Sequence, residues 1–356
     1  MRIYENHALA PYTTMGIGGN ARRFIEAESA DDIVEALSMA EAENAPVFVL
    51  GAGSNLLICD AGFDGYVIHP VFKDAEWMEQ EDGSVFVRID AGAMFDDIAA
   101  ESCRRNLGGI EALSGIPGST GGSLVQNIGA YGQEISEVFI SADAVDRKNR
   151  ETVTLSTDDM KFAYRHTALK THENPYIVTS VTIRLMPFDV DKAVERSAKH
   201  GFPRIAAHRP ESASALRELV LETRRKKGMC YDENDVNTHS VGSFFVNPVL
   251  SEKDAQRHNA ANIIKNQKPM PCFPFEGGVK LSAAWLIEQS EFNRGFIHKG
   301  AALSALHCLA IVNRDHASCT DVLELAHIVI KGVFKHFRIE LKPEVIYLGE
   351  HGEEDL

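Results

Sequence analysis

The sequence lacks an excess of basic residues and any long apolar run, and each absence excludes a class of protein. Its 356 residues include 36 Lys and Arg against 51 Asp and Glu, giving a formal net charge of −15 at pH 7. Non-specific nucleic-acid binding needs a basic surface, so we expect no nucleic-acid partner. No apolar stretch approaches the roughly 18 residues of a membrane helix, and the amino terminus lacks the apolar core of a signal peptide. We therefore expect a cytoplasmic protein with no membrane partner.

Cysteine is scarce, and the way it is scattered excludes two kinds of site. The six cysteines stand at positions 59, 103, 230, 272, 308 and 319 and form no C-x-x-C pair. Neither a disulfide framework nor a zinc site has that pattern, and a reducing compartment fits it. The 14 histidines include no pair at the i, i+4 spacing of a helical metal site. We therefore expect no bound metal.

Familiar nucleotide-binding and hydrolase motifs are also missing. The chain contains no G-x-x-x-x-G-K-[ST] loop and no G-x-S-x-G elbow. Gly51 and Gly53 follow a predicted strand, but the third glycine of a dinucleotide-binding fingerprint is absent and an apolar strand-like run follows. This excludes a Rossmann fold and leaves open a strand-turn-strand whose glycine amides face a pyrophosphate.

The most distinctive stretch that is present covers residues 114–132. Six of its nineteen residues are glycine and none is charged. Each interior glycine costs a helix about 1 kcal/mol relative to alanine, so we predict a loop without a helix. Exposed backbone N–H groups in such loops bind anions, phosphates above all. A solvated surface loop is the alternative, but apolar residues spread through the run favour a buried loop that faces a phosphate-bearing cofactor.

Hydrophobic periodicity predicts the remaining elements. Helices are expected at 30–43 (capped by Ser29), 95–106, 212–226, 280–289 and 320–337. Strands are expected at 46–50, 56–59, within 65–92, and at 138–145, 151–155, 177–185, 305–313 and 340–349. Strand-rich segments around a glycine-rich centre indicate an α+β fold and not a doubly wound parallel sheet. The basic run 224–227 either complements the dipole of the preceding helix or supplies a phosphate-binding patch.

Three polar residues stand in unusually apolar or tight contexts. Arg165 ends the segment FAYR, Ser243 lies between a glycine and two phenylalanines, and Glu344 heads the predicted final strand. Composition and spacing leave each of them open between a structural and a functional role.

An ordered set of motifs resembles one known family. The motifs are TTMGIGG (13–19), GAGSNLL (51–57), IPGSTGG (116–122), QNIGAYG (126–132), FAYR (162–165), GSFFVNP (242–248), GVKLSAAWLIE (278–288) and PEV (343–345). In that order, and over nearly the whole chain, they resemble the UDP-N-acetylenolpyruvoylglucosamine reductase family, in its longer-insert type. The first four are similar to the FAD-binding fold of vanillyl-alcohol-oxidase (PCMH-type) flavoenzymes, and the others to a substrate domain.

The resemblance implies a division of the chain into domains. An FAD-binding domain over residues 1–186, with α+β subdomains at about 1–70 and 71–186, is followed by an insert or connector at 187–235. A C-terminal α+β substrate domain covers 236–356, and its final strand is expected to return to the FAD domain. The enzyme is expected to be a monomer.

The resemblance also implies an activity. The family reduces UDP-N-acetylglucosamine enolpyruvate to UDP-N-acetylmuramate in peptidoglycan precursor synthesis, using FAD as cofactor and NADPH as reductant. A hydride from the reduced flavin goes to the β carbon of the enolpyruvyl ether, and a protein acid protonates the α carbon.

Matched position by position, the motifs imply roles for individual residues. Ser243 corresponds to the proton donor, and Arg165 and Glu344 to the groups that polarise the substrate carboxylate and stabilise the enolic intermediate; we expect Glu344 to act in its protonated form. The implied FAD-binding residues are Gly51, Gly53, Ser54, Asn55, Ile116, Pro117, Gly118, Gly121, Gly122, Asn127, Gly129, Ala130 and Tyr131. The implied substrate-binding residues are Tyr164, Lys227 or its neighbour Lys226, Asn247 and His307.

Two departures from the family pattern bear on substrate binding. Val246 stands where many members carry lysine, which removes one positive charge, and Phe202 stands where the longer-insert type closes a tyrosine over the UDP group. Two other functions stay open. The first is a different flavin oxidoreductase on the same FAD fold, which would not account for the motifs GSFF and PEV. The second is a non-catalytic UDP-sugar-binding protein that has kept the fold but has no catalytic activity.

Overall fold

The computed structural model describes residues 1–171, 174–200, 202–266, 269–275 and 277–354. Its strands are β1 (Arg2–Ala8), β2 (Asn20–Ala27), β3 (Val47–Val49), β4 (Leu56–Ile58), β5 (Phe63–Pro70), β6 (Ala75–Glu79), β7 (Val85–Asp90), β8 (Leu107–Gly108), β9 (Gly129–Ala130), β10 (Gln133–Glu134), β11 (Phe139–Asp146), β12 (Thr152–Leu155), β13 (Tyr176–Pro187), β14 (Val249–Leu250), β15 (Cys272–Phe275), β16 (Gly278–Leu281), β17 (Ile297–His298), β18 (Ala301–Leu303), β19 (Ile311–Asn313), β20 (Ile346–Leu348) and β21 (Glu353–Glu354). Its α-helices are α1 (Ala30–Ala42), α2 (Phe95–Arg104), α3 (Thr120–Val125), α4 (Thr157–Met160), α5 (Val190–Lys199), α6 (Pro203–His208), α7 (Ala213–Arg225), α8 (Glu252–Asn266), α9 (Ala283–Glu288) and α10 (Cys319–Phe337).

The first sheet has the strand order β1-β2-β5-β3 and carries helix α1 on one face. Strands β2 and β3 both run parallel to β5. Ser29 caps α1 as predicted, because its hydroxyl accepts a hydrogen bond from the Asp32 N–H at 3.2 Å. Ile33 and Leu37 of that helix pack on Tyr66 and Ile68 of β5. The sheet ends in the Gly51–Asn55 turn at the carboxyl end of β3.

The second sheet is antiparallel, with the order β12-β11-β13-β7-β6 and with β8 also paired to β13. The strands predicted within 65–92 and at 138–145, 151–155 and 177–185 are confirmed by β5 to β7 and β11 to β13. Val87 and Ile183 are fully buried in its core, against Ile98 of α2 and Leu124 of α3. The mixture of this sheet, the first sheet and the helices confirms the predicted α+β class.

The glycine-rich stretch 114–132 contains a helix, so the prediction of a helix-free loop is wrong. Helix α3 begins after Ser119, whose hydroxyl accepts from the Gly122 N–H at 3.3 Å. Leu124 is fully buried, and a Cβ on Gly121 would lie 2.9 Å from the Cβ of Ala91. Burial of the helix against the second sheet offsets the intrinsic cost of its glycines, and the missing Cβ atom allows this close approach.

The last third of the chain packs two small sheets, β14-β16-β15 and β17-β18-β19, with helices α9 and α10. Val322, Leu325 and Val329 form the predicted buried stripe of α10. Two predictions here are wrong in extent. Residues 280–289 divide into β16 and the Ser282-capped α9, and only Ile311–Asn313 of the predicted strand 305–313 is a strand. A turn precedes it, closed by the Ala310 N–H donating to the His307 carbonyl at 3.0 Å.

The chain returns at its end to the first half of the molecule. Strand β20, shorter than the predicted 340–349, pairs in parallel with β4, and the Ile346 N–H donates to the Asn55 carbonyl at 3.1 Å. This pairing brings Glu344 beside the Gly51–Asn55 turn. The domain boundaries at 186, 235 and 236 stay a prediction. Within the described ranges, none of the helices combines the length and the apolar character that crossing a bilayer would need.

Candidate active site

A cavity of about 410 Å³ lies where the two large sheets meet the last third of the chain. Most of the predicted site residues line it: Gly51, Gly53, Ser54, Asn55, Ile116, Pro117, Gly118, Gly121, Gly122, Gly129, Tyr164, Arg165, Ser243, Asn247 and Glu344. Residues that are far apart in the sequence therefore line one cavity. In the described part of the chain, no cluster of three or more His, Cys, Asp or Glu side chains is arranged to hold a metal ion.

The turn from Gly51 to Asn55 presents bare backbone to this cavity. Gly53 has φ +58°, and a Cβ at this position would overlap the carbonyl oxygen of Tyr12. Within the described residues, no hydrogen bond engages the backbone N–H groups of Gly51, Gly53 and Ser54. The Ser54 hydroxyl donates to the Pro117 carbonyl at 2.8 Å and so joins this turn to the second glycine-rich loop.

The second loop adds unpaired polar groups to the same wall. Gly118 has φ +150°, and a Cβ there would lie 3.3 Å from both the Ser123 and the Ser54 hydroxyls. The Ser123 hydroxyl is buried and has no hydrogen-bond partner in the described structure. Backbone N–H groups and a hydroxyl without partners, among small residues, are suited to hold an anionic group such as a pyrophosphate.

Arg165 and Glu344 form an ion pair on the cavity wall. Arg165 Nε lies 3.1 Å from Glu344 Oε1, with side-chain exposures of 21% and 12%. Arg165 takes φ +56° in the turn that pairs Ala163 with His166, and its Nη2 donates to the Gly129 carbonyl at 2.5 Å. A Cβ on Gly129 would lie 2.9 Å from Arg165 Nη1, so this glycine makes room for the guanidinium.

Gln126 completes this pair and was missed among the predicted site residues. Its Nε2 donates to Glu344 Oε1 at 2.9 Å, so that one carboxylate oxygen accepts from both Gln126 and Arg165. Gln126 opens the motif QNIGAYG, which was a signal available in the sequence. Both donors meet the same oxygen, and within the described residues no hydrogen bond reaches Glu344 Oε2.

Backbone pairing holds Ser243 beside Glu344. The Glu344 N–H donates to the Phe244 carbonyl at 2.8 Å, and Phe245 pairs with Pro343. Phe244 and Phe245 are buried to 0% and 1% exposure, which anchors the segment in the core and leaves the preceding Ser243 on the cavity wall. Within the described ranges the Ser243 hydroxyl has no hydrogen-bond partner, so its proton is available to a bound molecule.

Further polar side chains lie near Arg165 and Glu344. Asn247 Oδ1 accepts from the Ala283 N–H at 3.0 Å, and its Nδ2 lies 3.5 Å from the Tyr164 hydroxyl. Burial raises the pKa of Tyr164, although the positive charge of Arg165 partly offsets this effect. Lys170 and Lys280 were missed by the sequence analysis. Lys170 Nζ donates to the Arg165 carbonyl at 3.3 Å, and Lys280 Nζ lies 5.0 Å from the Tyr164 ring centroid. Burial lowers the pKa of both ammonium groups, with Arg165 adding to the effect.

Five predicted site residues do not line the cavity: Asn127, Ala130, Tyr131, Lys227 and His307. The fully buried Asn127 donates to the Ala163 carbonyl at 2.9 Å and to Glu134 Oε2 at 3.1 Å, so it supports the Arg165 turn from behind. Ala130 pairs with Gln133, and Tyr131 packs edge-on against Phe202 at 4.8 Å between ring centroids. The motif QNIGAYG marks all of these positions alike, but the packing shows that Gln126 and Gly129 line the cavity while Asn127, Ala130 and Tyr131 do not.

Lys227 and His307 lie near one another outside the cavity. Burial lowers the pKa of His307 to about 4, and the charge of Lys227 contributes. The Lys227 side chain is exposed at the surface, yet neighbouring protein atoms partly desolvate its ammonium group, and Arg224 and Arg294 also repel it, so its pKa is lowered. Lys226, by contrast, pairs with Glu222 at 2.6 Å.

We predict that Gly53→Ala lowers the free energy of unfolding by about 2 to 4 kcal/mol, because it adds a backbone clash to a left-handed φ. Gly83 is the matched control, since it has φ +79° but its added Cβ would meet nothing closer than 3.9 Å. Gly83→Ala should cost about 1 kcal/mol from the backbone conformation alone. Urea unfolding of both variants measures the difference, and equal losses would contradict the clash.

The pKa of His307 predicts a pH dependence of stability. Its folded value of about 4 lies below the ordinary 6.5, so the unfolded chain binds the proton more readily between those values. The stability that the neutral His307 contributes is fully present above pH 6.5 and is lost as the pH falls from 6.5 towards about 4. In His307→Gln we expect a smaller drop in Tm between about pH 7 and about pH 4.5 than in the wild type. A drop in His307→Gln as large as that of the wild type would contradict the prediction.

Comparison with known proteins places this cavity in a family context. The family model described as UDP-N-acetylenolpyruvoylglucosamine reductase, C-terminal domain, matches residues 234–348, and the model described as FAD binding domain matches residues 21–156. The chain is 37% identical to the UDP-N-acetylenolpyruvoylglucosamine reductase of Thermobifida fusca over 97% of this chain and 98% of that protein. It is 38% identical to the enzyme of the same name from Mycobacterium tuberculosis, over 98% and 95% of the two chains.

A solved structure agrees in fold. The crystal structure of UDP-N-acetylenolpyruvylglucosamine reductase from Thermus caldophilus aligns with a TM-score of 0.65 at 24% identity, covering 98% of this chain and 99% of that one. Together with the FAD-binding domain match, this likeness confirms the predicted fold class.

Proposed function

The chain belongs to the UDP-N-acetylenolpyruvoylglucosamine reductase family, and from this premise we propose that it is an FAD-dependent enzyme that reduces the enolpyruvyl group of UDP-N-acetylenolpyruvoylglucosamine, with NADPH as reductant. The observation that carries the proposal is the ion pair of Arg165 and Glu344, 3.1 Å apart, which lines the same cavity as Ser243 and two glycine-rich loops. This reduction needs charged groups that bind the substrate carboxylate, a proton donor and a binding site for the cofactor.

The residues of the cavity fit FAD. The unengaged N–H groups of Gly51, Gly53 and Ser54 and the unpaired hydroxyl of Ser123 would hold its pyrophosphate, where added Cβ atoms would fill the space. These neutral donors suit an acidic chain, because they bind an anion without cationic side chains. FAD, when bound there, supplies the hydride chemistry of the reaction.

We propose that Arg165 and Glu344 prepare the substrate. A guanidinium can bind the enolpyruvyl carboxylate, and its planar donors stabilise the negative charge that develops when the double bond is reduced. Gln126 and Gly129 hold the two side chains in place through hydrogen bonds of 2.9 and 2.5 Å. That Glu344 acts in its protonated form stays a prediction; the proton would lie on Oε2.

We propose that Ser243 delivers the proton to the α carbon. A serine hydroxyl is a weak acid, but an enolic carbanion is a strong base, so a nearby hydroxyl can protonate it. The buried phenylalanines that follow Ser243 hold its backbone, and the pairing of Phe244 with Glu344 fixes the hydroxyl relative to the carboxylate. The backbone hydrogen bond between Glu344 and Phe244 therefore holds the proton donor Ser243 next to the pair of Arg165 and Glu344.

We propose that the UDP group lies toward Tyr164, Asn247 and Lys227, with His307 as a polar neighbour. Lys227 is favoured over Lys226 as the diphosphate ligand, because Lys226 is held by Glu222. Lys280, close to Tyr164, can replace part of the charge that Val246 removes. Phe202 packs on Tyr131, so closure over the substrate would rely on apolar packing and not on a phenolic hydrogen bond.

The activity is tested by following NADPH oxidation with and without UDP-N-acetylenolpyruvoylglucosamine. We expect a yellow protein carrying about one FAD per chain and clear stimulation by the substrate. Oxidation indifferent to the substrate would favour another flavin oxidoreductase, and a colourless protein that FAD cannot reconstitute would favour a non-catalytic binding protein.

We further propose that the protein acts as a cytoplasmic monomer. All six cysteines are free, and Cys59, Cys103, Cys308 and Cys319 are buried, which suits a reducing compartment. Light scattering coupled to gel filtration measures the mass of the holoenzyme, and a value near twice 39.2 kDa would overturn the monomer.

A further inference from the structure

We propose that Arg147 recognises the adenosine half of FAD and so makes this protein select FAD over FMN. The inference rests on FAD binding in the proposed function and adds to it a specificity-determining residue at the end of the cavity away from the reacting groups.

The Gly51–Asn55 turn gives the bound dinucleotide a direction. Strand β3 (Val47–Val49) leads into the turn at one side, and Asn55 ends it at the other, where its Nδ2 donates to the Glu344 carbonyl at 3.3 Å. A pyrophosphate on this turn therefore has the catalytic residues on its Asn55 side. Bound in this way, the flavin would lie on that side and the adenosine half on the β3 side.

The β3 side of the cavity offers apolar side chains and a guanidinium group to a purine nucleoside. Phe48, Pro70 and Ile177 line it and are all buried, which offers apolar walls to a flat base. Arg147 lines the same part, directly after strand β11, with its Nη1 3.5 Å from the Val47 carbonyl. One guanidinium thus stands among apolar residues at the place where the base and ribose would lie.

Arg147 has an unmet hydrogen-bonding demand. Its Nε is buried and has no partner in the described structure. A buried donor without an acceptor is costly, and the ring nitrogens of adenine and the oxygens of ribose are acceptors of the kind that would satisfy it. Burial also lowers the pKa of this guanidinium. The negative charge of Glu353, which lines the same cavity, acts in the opposite direction and raises it.

Arg147 also bridges the two large sheets through the Val47 carbonyl, so the test must separate ligand recognition from folding. Arg150 is the matched control. It lies three residues further along, bridges to α1 through the Leu37 carbonyl at 3.4 Å and Glu41 at 2.9 Å, and does not line the cavity.

The experiment titrates the full chain, stripped of flavin, with FAD and with FMN, which lacks the adenosine half. In Arg147→Met we expect the Kd for FAD to rise by about 10- to 100-fold, while the Kd for FMN stays within about twofold of the wild type. Arg150→Ala should change neither Kd. Flavin fluorescence reports binding directly, without reference to turnover.

Several outcomes overturn the inference. Equal weakening of FAD and FMN would make Arg147 a structural bridge, and an unchanged FAD affinity would remove it from the site. If Arg147→Met does not fold, Arg147→Lys, which keeps the length and charge, is titrated in the same way and should lose FAD affinity alone; failure of both variants to fold also assigns a structural role. A wild-type chain that binds neither flavin defeats the proposed function itself, which is a distinguishable result.

Discussion

In the Ser243→Ala variant, reduction of the bound flavin by NADPH should stay within about twofold of the wild-type rate, while its reoxidation by UDP-N-acetylenolpyruvoylglucosamine should slow by about 10²- to 10⁴-fold. In the proposed mechanism the hydroxyl only protonates the α carbon, so the first half-reaction should not use it. Stopped-flow absorbance of the flavin measures the two half-reactions separately.

Ser243→Cys is the control for this variant. A thiol is a stronger acid than a hydroxyl and can occupy the same place before the buried Phe244 and Phe245, so we expect it to restore part of the reoxidation rate. If both half-reactions slowed equally in Ser243→Ala, Ser243 would have a structural or binding role instead.

Replacement of Arg165 by lysine should lower kcat by about 10²- to 10³-fold, although the positive charge is kept. Lysine offers one compact ammonium group, whereas Arg165 contacts Glu344 through Nε and the Gly129 carbonyl through Nη2 at the same time. It therefore cannot hold both partners and a substrate carboxylate. Steady-state kinetics with saturating NADPH measure the loss, and a change confined to KM would contradict a role in the transition state.

The partner of Arg165 provides a sharper test of the same pair. Glu344→Gln keeps the shape of the side chain but replaces the carboxyl group with an amide, which can neither pair with Arg165 as a carboxylate nor supply an acidic proton from Oε2. We expect a loss of kcat of similar size. Because the two groups are 3.1 Å apart and act together, the double variant should lose far less than the product of the single losses. Strictly multiplicative losses would show that Arg165 and Glu344 work independently.

Local signals were enough to predict the well-capped and strongly periodic elements. The Ser29 cap with the apolar stripe of α1, and the stripe of Val322, Leu325 and Val329 in α10, are periodic patterns that local sequence determines. The glycine-rich motifs, Arg165, Ser243 and Glu344 were also visible as residue types in order. The expectation that no nucleic acid binds rests on the net charge of −15 and stays a prediction.

Short elements and long-range contacts were beyond such signals. Helix α3 exists despite its glycines because it is buried against the second sheet, and that burial comes from strands that lie elsewhere in the chain. Gln126 was overlooked because its importance lies in a hydrogen bond to Glu344, 218 residues away. Asn127 and Tyr131 match the motif as well as Gln126 and Gly129 do. They are only one and two positions further along, respectively, but they do not line the cavity.

The sequence by itself determined which chemical groups this protein has: backbone loops without Cβ atoms, which we propose for a pyrophosphate, and a serine, an arginine and a glutamate, which we propose for the reaction. Only the tertiary structure decided which of them meet. The parallel pairing of β20 with β4 and the contact between Phe244 and Glu344 bring Glu344 to Ser243 and to the Gly51–Asn55 turn. The physical reason is that local propensity acts over a few residues, whereas an active site depends on hydrogen bonds and buried contacts between segments that are distant in the chain.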